Sequence, residues 1–405
     1  MADVSIDATV STSTARGMRS VVFTTALIGY WFYIDSDGSF KYSKTTDGGA
    51  TWGAATSTGT STLTNIAFDV WYDRWTPGDA GTLIHYWVFD STNDVVGYWN
   101  LQTTNDTNSS FVNVFTGASA VAGRGAFVSG TKTRSGYLYC AYDIDAGAEK
   151  GLHRSTNAGV SWSASLSSTF VGATIDQCLL FPATGSGDDN DMVSLMQIAA
   201  SDIIKIRNWD SSAATFTDNA TTIPMIENTT DLTGQMGFSG SVRNSDGHII
   251  LVACNDRDTV TADMVVWDIT PDLATAPVHK TDITANIDDN YNPAVFIDQN
   301  TNRIYVAYNG KKDGSEVIGT TTKIYYVYSD DSGSTWSAEQ PYQEGAAAAA
   351  FQVWAPLSGS RFYVGWRVGT TLVGNKVNSV DVTPVPVIPL PSLITQPMIP
   401  ARRRQ

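Results

Sequence analysis

Short apolar runs recur along this sequence at an almost constant spacing. Seven of them resemble one another, and successive runs begin 52 to 58 residues apart. They are GYWFYID from Gly29, GTLIHYW from Gly81, GYLYCAY from Gly136, DMVSLMQ from Asp191, GHIILVA from Gly247, NRIYVAY from Asn302 and SRFYVGW from Ser360. Both alternating sets of positions in these runs are apolar, which is typical of a strand covered on both faces. The spacing therefore predicts seven copies of one unit, each containing an inner strand.

Other short runs surround each inner strand. An apolar run precedes it, as in IAFDVWY from Ile66, and a third strand follows it, as in KIYYVYS from Lys323. A more polar fourth strand completes the unit, as in FVNVFTG from Phe111. Four antiparallel strands of this kind form a blade, and blades arranged round an axis bury their faces against one another. We predict an all-β fold, a seven-bladed β-propeller of four-stranded antiparallel blades, with six blades as the alternative.

The two ends of the sequence differ from the repeated units. We assign residues 1–16 to an N-terminal closing strand, 17–380 to the propeller and 381–405 to a proline-rich tail. The seventh unit continues into VTPVPVIPL, a poor ladder partner, so DVSIDATV near the N-terminus is expected to supply the missing outer strand and close the ring. The tail ends in three contact candidates, Arg402, Arg403 and Arg404. Its composition favours an extended strap along another subunit or an acidic groove, with a disordered solubilising tail as the alternative.

One turn motif lies between the third and fourth strands of three units. It reads TTDGGATW from Thr45, STNAGVSW from Ser155 and SDDSGSTW from Ser329. These turns resemble the Asp box, or bacterial neuraminidase repeat, of sialidase-like propellers. In such a turn the Asp or Asn side chain accepts backbone hydrogen bonds, glycine supplies a positive φ and the tryptophan packs into the blade. We therefore assign structural roles to Asp47, Gly49, Trp52, Asn157, Gly159, Trp162, Asp331, Gly333 and Trp336.

The resemblance also implies where an active site would lie. Sialidases of this kind place three arginines, a tyrosine activated by glutamate, and an aspartate on the face opposite the Asp boxes. The candidates on that face, if the protein is such a glycoside hydrolase, are Arg19, Arg124, Arg257, Arg367, Glu149 and Glu316. Arg19 occupies the place of the arginine in the family's Arg-Ile-Pro motif, but Ser20 and Val21 follow it. Because no distinctive motif surrounds these residues, ion pairs at the rim are the ordinary explanation, and the sequence favours a protein without catalytic residues.

Composition narrows the range of partners. The formal net charge of −15 and the pI near 4.5 repel a phosphate backbone, so nucleic acid is not an expected partner. The three cysteines, Cys140, Cys178 and Cys254, lie in apolar runs and are expected to be buried free thiols. No run is long and apolar enough to cross a membrane, and MADVSIDATV lacks the pattern of a secretory signal.

Two kinds of loop remain as candidate contact sites. Acidic loops opposite the Asp boxes, such as the one containing Asp35 and Asp37, offer the oxygen ligands that calcium prefers, but none matches a full calcium-binding loop. Solvated turns are the alternative, and we predict no metal or cofactor. On the Asp-box face, Arg74 and Trp75 are candidates for contact with a sugar or a protein, whereas Trp71 is equally explained as core.

A propeller with Asp boxes, a docking tail and no signal resembles proteins that bacteriophages assemble into virions. Our leading hypothesis is a non-enzymatic virion structural or adhesion protein, made in the host cytoplasm, that serves as a head decoration, tail or fibre component. Its propeller would bind a partner protein or a host-surface glycan, and its tail would bind other virion proteins. The alternatives are a sialidase-like exo-glycosidase and a soluble carbohydrate-binding module.

Overall fold

The computed structural model describes residues 3–11, 16–17, 19–59, 65–117, 126–144, 149–172, 175–183, 189–198, 201, 203–225, 237–254, 264–271, 275–283, 290–310, 323–345 and 350–382. Regular structure in these residues is almost entirely β-strand, with a 3₁₀ turn at Asp73–Trp75. Apolar residues fill the spaces between neighbouring sheets, so the core is divided among the junctions of the blades.

The strands form seven blades and one short ribbon. The chain begins with β1 (Val4–Asp7) and β2 (Arg16–Gly17). Blade 1 contains β3 (Val21–Phe23), β4 (Gly29–Ile34), β5 (Phe40–Thr45) and β6 (Thr56–Ser57); blade 2 contains β7 (Asn65–Tyr72), β8 (Leu83–Asp90), β9 (Val95–Gln102), β10 (Thr107–Asn108) and β11 (Val112–Thr116). Blade 3 contains β12 (Phe127–Lys132), β13 (Leu138–Asp143) and β14 (Lys150–Ser155); blade 4 contains β15 (Gln177–Pro182), β16 (Met192–Ile198), β17 (Ile203–Asp210) and β18 (Thr215–Pro224).

The remaining strands follow the same scheme. Blade 5 contains β19 (Phe238–Val242), β20 (Ile249–Cys254), β21 (Met264–Ile269) and β22 (Val278–His279); blade 6 contains β23 (Asn290–Asp298), β24 (Arg303–Gly310), β25 (Lys323–Ser329) and β26 (Gln340–Pro341). The last strands are β27 (Ala350–Trp354), β28 (Arg361–Phe362), β29 (Gly365–Val368), β30 (Thr371–Gly374) and β31 (Val380–Asp381). The predicted seven-bladed, antiparallel, all-β architecture is confirmed.

Blade 3 departs from the regular pattern. Its ladder among the described residues has three strands, in the order β12-β13-β14. The outer position is taken by an irregular segment, in which Leu166 N–H donates to the carbonyl of Leu152 at 2.8 Å and Ser163 N–H donates to that of Arg154 at 2.8 Å. These bonds give the two β14 carbonyls hydrogen-bond partners although no regular fourth strand lies beside them.

The N-terminal strand closes the ring, as the sequence predicts. β1 pairs antiparallel with β30 and becomes the outer strand of blade 7, in the order β1-β30-β29-β27. The Asp3 carboxylate strengthens this junction, because it accepts hydrogen bonds from Gly345 N–H at 2.7 Å and from the side-chain amide of Asn375 at 2.8 Å. The first and last parts of the propeller are therefore joined by a ladder and by side chains.

The seventh apolar run differs from the continuous strand expected for it. SRFYVGW is divided into β28 and β29, and β28 leaves the blade to pair with β31. The guanidinium of Arg361 stabilises this arrangement, since it donates to the Ala26 carbonyl at 2.7 Å and to Ser379 Oγ at 2.5 Å and also pairs with the Asp381 carboxylate. The last strand, β31, therefore ends at Asp381, and the next residue, Val382, is buried. Both residues were assigned to the tail, and the structure places them in the propeller.

Glycines allow large aromatic side chains to lie deep between blades. A Cβ atom at Gly130 of blade 3 would lie 2.1 Å from the ring of Trp87 in blade 2, so that position requires glycine. Cys140, Cys178 and Cys254 are buried, and none of them forms a disulfide within the described part of the chain, as the sequence predicts. Among the described residues, no helix is both long and apolar enough to span a bilayer.

Candidate functional site

The N-terminal segment enters the centre of the ring after it leaves blade 7. β2 lies parallel to β7, with Arg16 opposite Ala67 and Gly17 opposite Phe68. Because β7 is the innermost strand of blade 2, β2 adds a strand on the axial side of that blade. The Arg19 side chain follows directly and is only 4% exposed.

Arg19 forms a buried ion pair with Asp69 of β7. Its Nε donates to Asp69 Oδ1 at 2.9 Å, and its remaining nitrogens donate to the carbonyls of Leu180 at 3.0 Å and Gly130 at 2.7 Å. The guanidinium also lies 4.8 Å from the ring centroid of Trp71. Asp69 is fully buried and accepts a further bond from Gly130 N–H at 2.9 Å. Arg19 thus connects blades 2, 3 and 4.

This pairing gives Arg19 a structural role in place of the substrate-binding role expected for it in a sialidase. A buried carboxylate requires a compensating charge, and Arg19 supplies it within hydrogen-bond distance. The guanidinium is therefore held by the protein and is not positioned as a free clamp for a ligand carboxylate.

A loop of blade 7 closes the Asp-box end of the axis. We call residues 355–360 the axial plug. The carbonyl of Leu357 accepts hydrogen bonds from Ser241 Oγ in blade 5 at 2.8 Å and from Ile297 N–H in blade 6 at 2.9 Å. The carbonyl of Ser358 accepts the indole N–H of Trp75, from the loop after β7, at 3.0 Å. Bonds to three other blades hold the plug across the axis.

A small pocket lies between the plug and the opposite face. We call it the axial pocket; its volume is about 30 Å³. Its lining residues come from β19, β23, β27, the N-terminal segment and the plug: Arg19, Ser239, Asn292, Pro293, Ala294, Gln352, Val353, Trp354, Ala355 and Leu357. Asn292 lies at an irregularity in the β23–β24 ladder and has a φ of 55°, a left-handed conformation that Asn tolerates better than most residues. This kink places residues 292 and 293 in the pocket wall.

The polar groups of the axial pocket are mostly neutral. Ser239 brings a hydroxyl, and Asn292 and Gln352 bring amides that contain both donors and acceptors. Trp354 adds an indole ring that is 9% exposed, and the Arg19 charge is compensated by Asp69. Such a set can exchange hydrogen bonds with a hydroxyl group, and the space holds about one water-sized group.

The other candidate catalytic residues do not gather at this pocket. Arg367 lies in a separate cleft between blades 7 and 1 and donates to the Gly369 carbonyl at 3.2 Å. Glu149 lies just before β14 and lines neither the axial pocket nor that cleft. Arg124, Arg257 and Glu316 are outside the described residues, as are Arg402, Arg403 and Arg404.

The three turns that resemble Asp boxes share one hydrogen-bond network. In the first, Asp47 Oδ1 accepts Thr51 N–H at 2.9 Å and Thr45 Oγ accepts Gly49 N–H at 2.9 Å. The same two bonds recur around Asn157, at 3.0 and 2.9 Å, and around Asp331, at 2.8 and 2.8 Å. The glycines at the fifth position of the motif, Gly49, Gly159 and Gly333, have φ values of 87°, 87° and 84°.

Each Asp-box tryptophan contacts the preceding blade. Trp52 donates its indole N–H to Tyr363 Oη of blade 7 at 3.2 Å, and Trp336 donates to the Thr281 carbonyl, which follows blade 5, at 2.8 Å. Trp162 packs against Tyr98 of blade 2 with ring centroids 5.4 Å apart. The turns therefore connect neighbouring blades at the face opposite the mouth of the axial pocket.

In the loop after β7, the structure contradicts the prediction that Trp75 is a contact residue. Trp75 is 3% exposed because its ring packs at right angles to Trp71 and its N–H bonds to the axial plug, so its ring is not available to an external partner. Arg74 is exposed and remains a contact candidate. Trp71 belongs to the core.

Sequence reasoning missed most of the residues that form the axial site. A signal existed for Asp69, because a carboxylate within the apolar run IAFDVWY needs a buried partner. No comparable signal marked Asn292 or Gln352. In the sequence they are polar residues in strand-like segments, and only the folded ring brings both into the wall of the axial pocket.

Comparisons with known proteins agree with the fold. No protein-family model matches the sequence, and no curated protein matches it either. Solved structures do match. An ulvan lyase of polysaccharide lyase family PL25, bound to -[GlcA(1-4)Rha3S]-, has a TM-score of 0.56 at 11% identity over 92% of this chain and 94% of its own. The GH74 xyloglucanase of Xanthomonas campestris has a TM-score of 0.53 at 13% identity over 91% of this chain and 52% of its own.

A third similar structure has a different chemistry. Hydrazine synthase of Kuenenia stuttgartiensis matches with a TM-score of 0.52 at 10% identity, over 92% of this chain and 96% of the other. Likeness at this level of identity reports the fold alone. The chain is a seven-bladed β-propeller whose ring is closed by its N-terminal strand, and its axis contains a buried ion pair beside a small pocket lined by both polar and apolar residues.

Proposed function

We propose that this protein is a non-enzymatic recognition propeller whose axial pocket binds a hydroxyl group of a carbohydrate. The observation that carries the proposal is the composition of the pocket wall, in which the hydroxyl of Ser239 and the amides of Asn292 and Gln352 lie beside the indole of Trp354. Hydroxyl and amide groups pair with sugar hydroxyls, and indole rings pack against the apolar faces of sugars. Because these groups do not exchange protons near neutral pH, they suit binding better than acid–base catalysis.

The size of the pocket limits what can enter. A volume of about 30 Å³ accepts one hydroxyl group, not a sugar ring. The ring of the ligand would therefore lie at the mouth of the pocket, on the face opposite the Asp boxes, with one hydroxyl directed toward Gln352.

The structural comparisons support a carbohydrate ligand. Two of the similar propellers are described as an ulvan lyase bound to a saccharide and as a xyloglucanase, and both act on polysaccharides. We further propose that the binding serves adhesion of a virion component, in which residues 383–405 form the anchor. This narrower proposal depends on the composition of that segment, with its clustered prolines and terminal arginines.

A glycan array tests the proposal with matched variants. Labelled protein should bind a defined subset of glycans. Gln352→Ala and Ser239→Ala should each weaken that binding by roughly 2- to 10-fold, the effect of one lost hydrogen bond. Gln340→Ala, on the outer strand of blade 6, is the control and should leave binding unchanged.

Two results would contradict the proposal. Binding that survives both pocket substitutions would place the ligand elsewhere. Turnover of fluorogenic glycosides that is lost in Gln352→Ala would show that the pocket is an active site and would overturn the non-enzymatic reading.

A further inference from the structure

The last residues of the described chain hold the end of the axial plug. We call residues 379–382 the latch; they contain β31 and the residues on either side of it. The backbone N–H of Val382 donates to the carbonyl of Ser360, the final residue of the plug, at 2.8 Å. Val382 is also buried in the apolar cluster that contains Phe362 of β28. The plug is therefore fixed at this end by a segment that follows it by about twenty residues.

The residue directly after the plug depends on the same segment. The Arg361 side chain is 5% exposed, and its guanidinium pairs with the Asp381 carboxylate and donates to Ser379 Oγ. Its Nε donates to the Ala26 carbonyl of the loop between β3 and β4. Release of the latch would remove the carboxylate and the hydroxyl from a buried cation, which is costly unless the cation moves. Movement of the latch should therefore displace Arg361 and, with it, the end of the plug.

The latch is weakly attached compared with the blades. β31 has two residues, which pair with β28 through Arg361 opposite Asp381 and Phe362 opposite Val380. These two strands form a sheet of their own, whereas the blades have three or more strands. The Asp381 side chain is 67% exposed. Short terminal strands with exposed bonds open at a lower free energy than central strands, so the latch can separate while the ring stays folded.

The plug forms part of the wall of the axial pocket. Ala355 and Leu357 of the plug line the pocket, together with residues of β19, β23 and β27. The Leu357 carbonyl makes the bonds to Ser241 and to the N–H of Ile297 that hold the plug across the axis. If the plug moved away from the axis, the pocket would lose this wall and would open toward the Asp-box face.

We propose that the latch keeps the axial plug closed and that its release opens the axial pocket from the Asp-box face. This inference concerns the regulation of the proposed binding site, and it rests on the proposed function for the role of the pocket in binding. The chain continues from Val382 into residues 383–405. A partner that binds or pulls that segment would act on the latch directly and would thereby change the affinity of the pocket.

Two indole N–H groups report the position of the plug. The Trp75 indole donates to the Ser358 carbonyl of the plug, so its hydrogen exchange should accelerate when the plug moves. The Trp71 indole is the internal control, because it donates to Thr76 Oγ1 within the same loop at 2.9 Å. The two signals are assigned in a ¹⁵N–¹H spectrum as those lost in Trp75→Phe and in Trp71→Phe.

A full-length double variant releases the latch. Asp381→Asn removes the carboxylate that pairs with Arg361, and Val382→Pro removes the N–H that is donated to Ser360. We expect the Trp75 indole to exchange about tenfold faster or more, while the Trp71 indole changes by less than about twofold. Asp330→Asn is the matched control, because it breaks an exposed arginine pair on blade 6 and should leave both signals unchanged. Thermal melts show whether each variant is folded.

A single substitution keeps the test decisive if the double variant does not fold. The exposure of Asp381 makes Asp381→Asn compatible with folding, and this change alone should accelerate Trp75 exchange by roughly 2- to 5-fold. Trp75 exchange that stays at the wild-type rate in the folded variants would overturn the latch. Equal acceleration at Trp71 and Trp75 would overturn it as well, because the opening would then not be confined to the plug.

The glycan array separates this inference from the proposed function. For glycans that the wild type binds, the folded double variant should bind at least about threefold more weakly, because one wall of the pocket has moved. Unchanged affinity together with fast Trp75 exchange would show that the plug moves without regulating the pocket and would overturn the proposed regulation. If no glycan binds the wild type, carbohydrate recognition fails, whereas the exchange of Trp75 still decides whether the latch holds the plug.

Discussion

The ion pair at the axis makes a strong prediction about stability. Replacing Arg19 with methionine preserves most of the side-chain length but leaves the fully buried Asp69 carboxylate without its cation. It also removes the donors to the carbonyls of Leu180 and Gly130. Breaking one side of a buried ion pair typically costs about 3–5 kcal/mol, because the remaining charge is desolvated and uncompensated. We expect a loss of this size.

The expected loss of unfolding free energy can be converted into a fall in Tm. At an unfolding entropy of about 2 cal/mol/K per residue, a loss of 3–5 kcal/mol lowers the Tm of a chain of this length by roughly 4–6 °C. Differential scanning calorimetry of wild type and Arg19→Met measures it. The control is Arg303→Met, which breaks a pair with Asp330 at 2.6 Å in which both side chains are partly exposed. That loss should be below about 1 kcal/mol.

A second substitution identifies the cause of the loss. Adding Asp69→Asn to Arg19→Met removes the unpaired charge, so the double variant should be more stable than Arg19→Met alone. Equal losses in Arg19→Met and Arg303→Met, or a further fall in the double variant, would refute the reasoning from buried charge.

Two further predictions concern the first Asp box. Burial opposes ionisation of Asp47, but hydrogen bonds from Thr51 outweigh it and lower the pKa of Asp47 to about 2, below the ordinary value of 3.8. Because the folded-state pKa is the lower one, the carboxylate stabilises the fold above about pH 4. Urea melts should show the advantage of wild type over Asp47→Asn shrinking as the pH falls from 4 to 2, and a constant difference would contradict this. Gly49→Ala should be destabilised by at least about 1 kcal/mol more than Gly59→Ala, since a Cβ at Gly49 (φ +87°) would lie 2.2 Å from a tyrosine ring of blade 7, whereas Gly59 (φ +93°) has nothing within 4 Å. Similar Tm values for the two variants would show that this contact relaxes.

Local patterns in the sequence were sufficient for the architecture. The spacing of the apolar runs predicted the blades, and the Asp, Gly and Trp of each Asp box marked the turn between the third and fourth strands. The proline-rich run after the seventh unit indicated that the N-terminus closes the ring, and β1 does pair with β30. The apolar runs and the turn motif depend on hydrogen bonds between strands that are close in sequence, which neighbouring residues specify, whereas β1 and β30 lie at opposite ends of the propeller sequence.

The axial site required contacts between residues that are far apart in the chain. Arg19 pairs with Asp69 fifty residues away, and Trp75 bonds to Ser358 at a separation of 283 residues. The prediction that Trp75 is a contact residue was wrong for this reason. Its loop has the composition of a surface loop, but the axial plug, which comes from a distant part of the sequence, covers the ring. The first strands of the seven blades, such as β7, surround one axis, and they come from segments that are far apart in the sequence. No local pattern shows which of their side chains touch, so the ion pair and the plug form only when the ring is assembled.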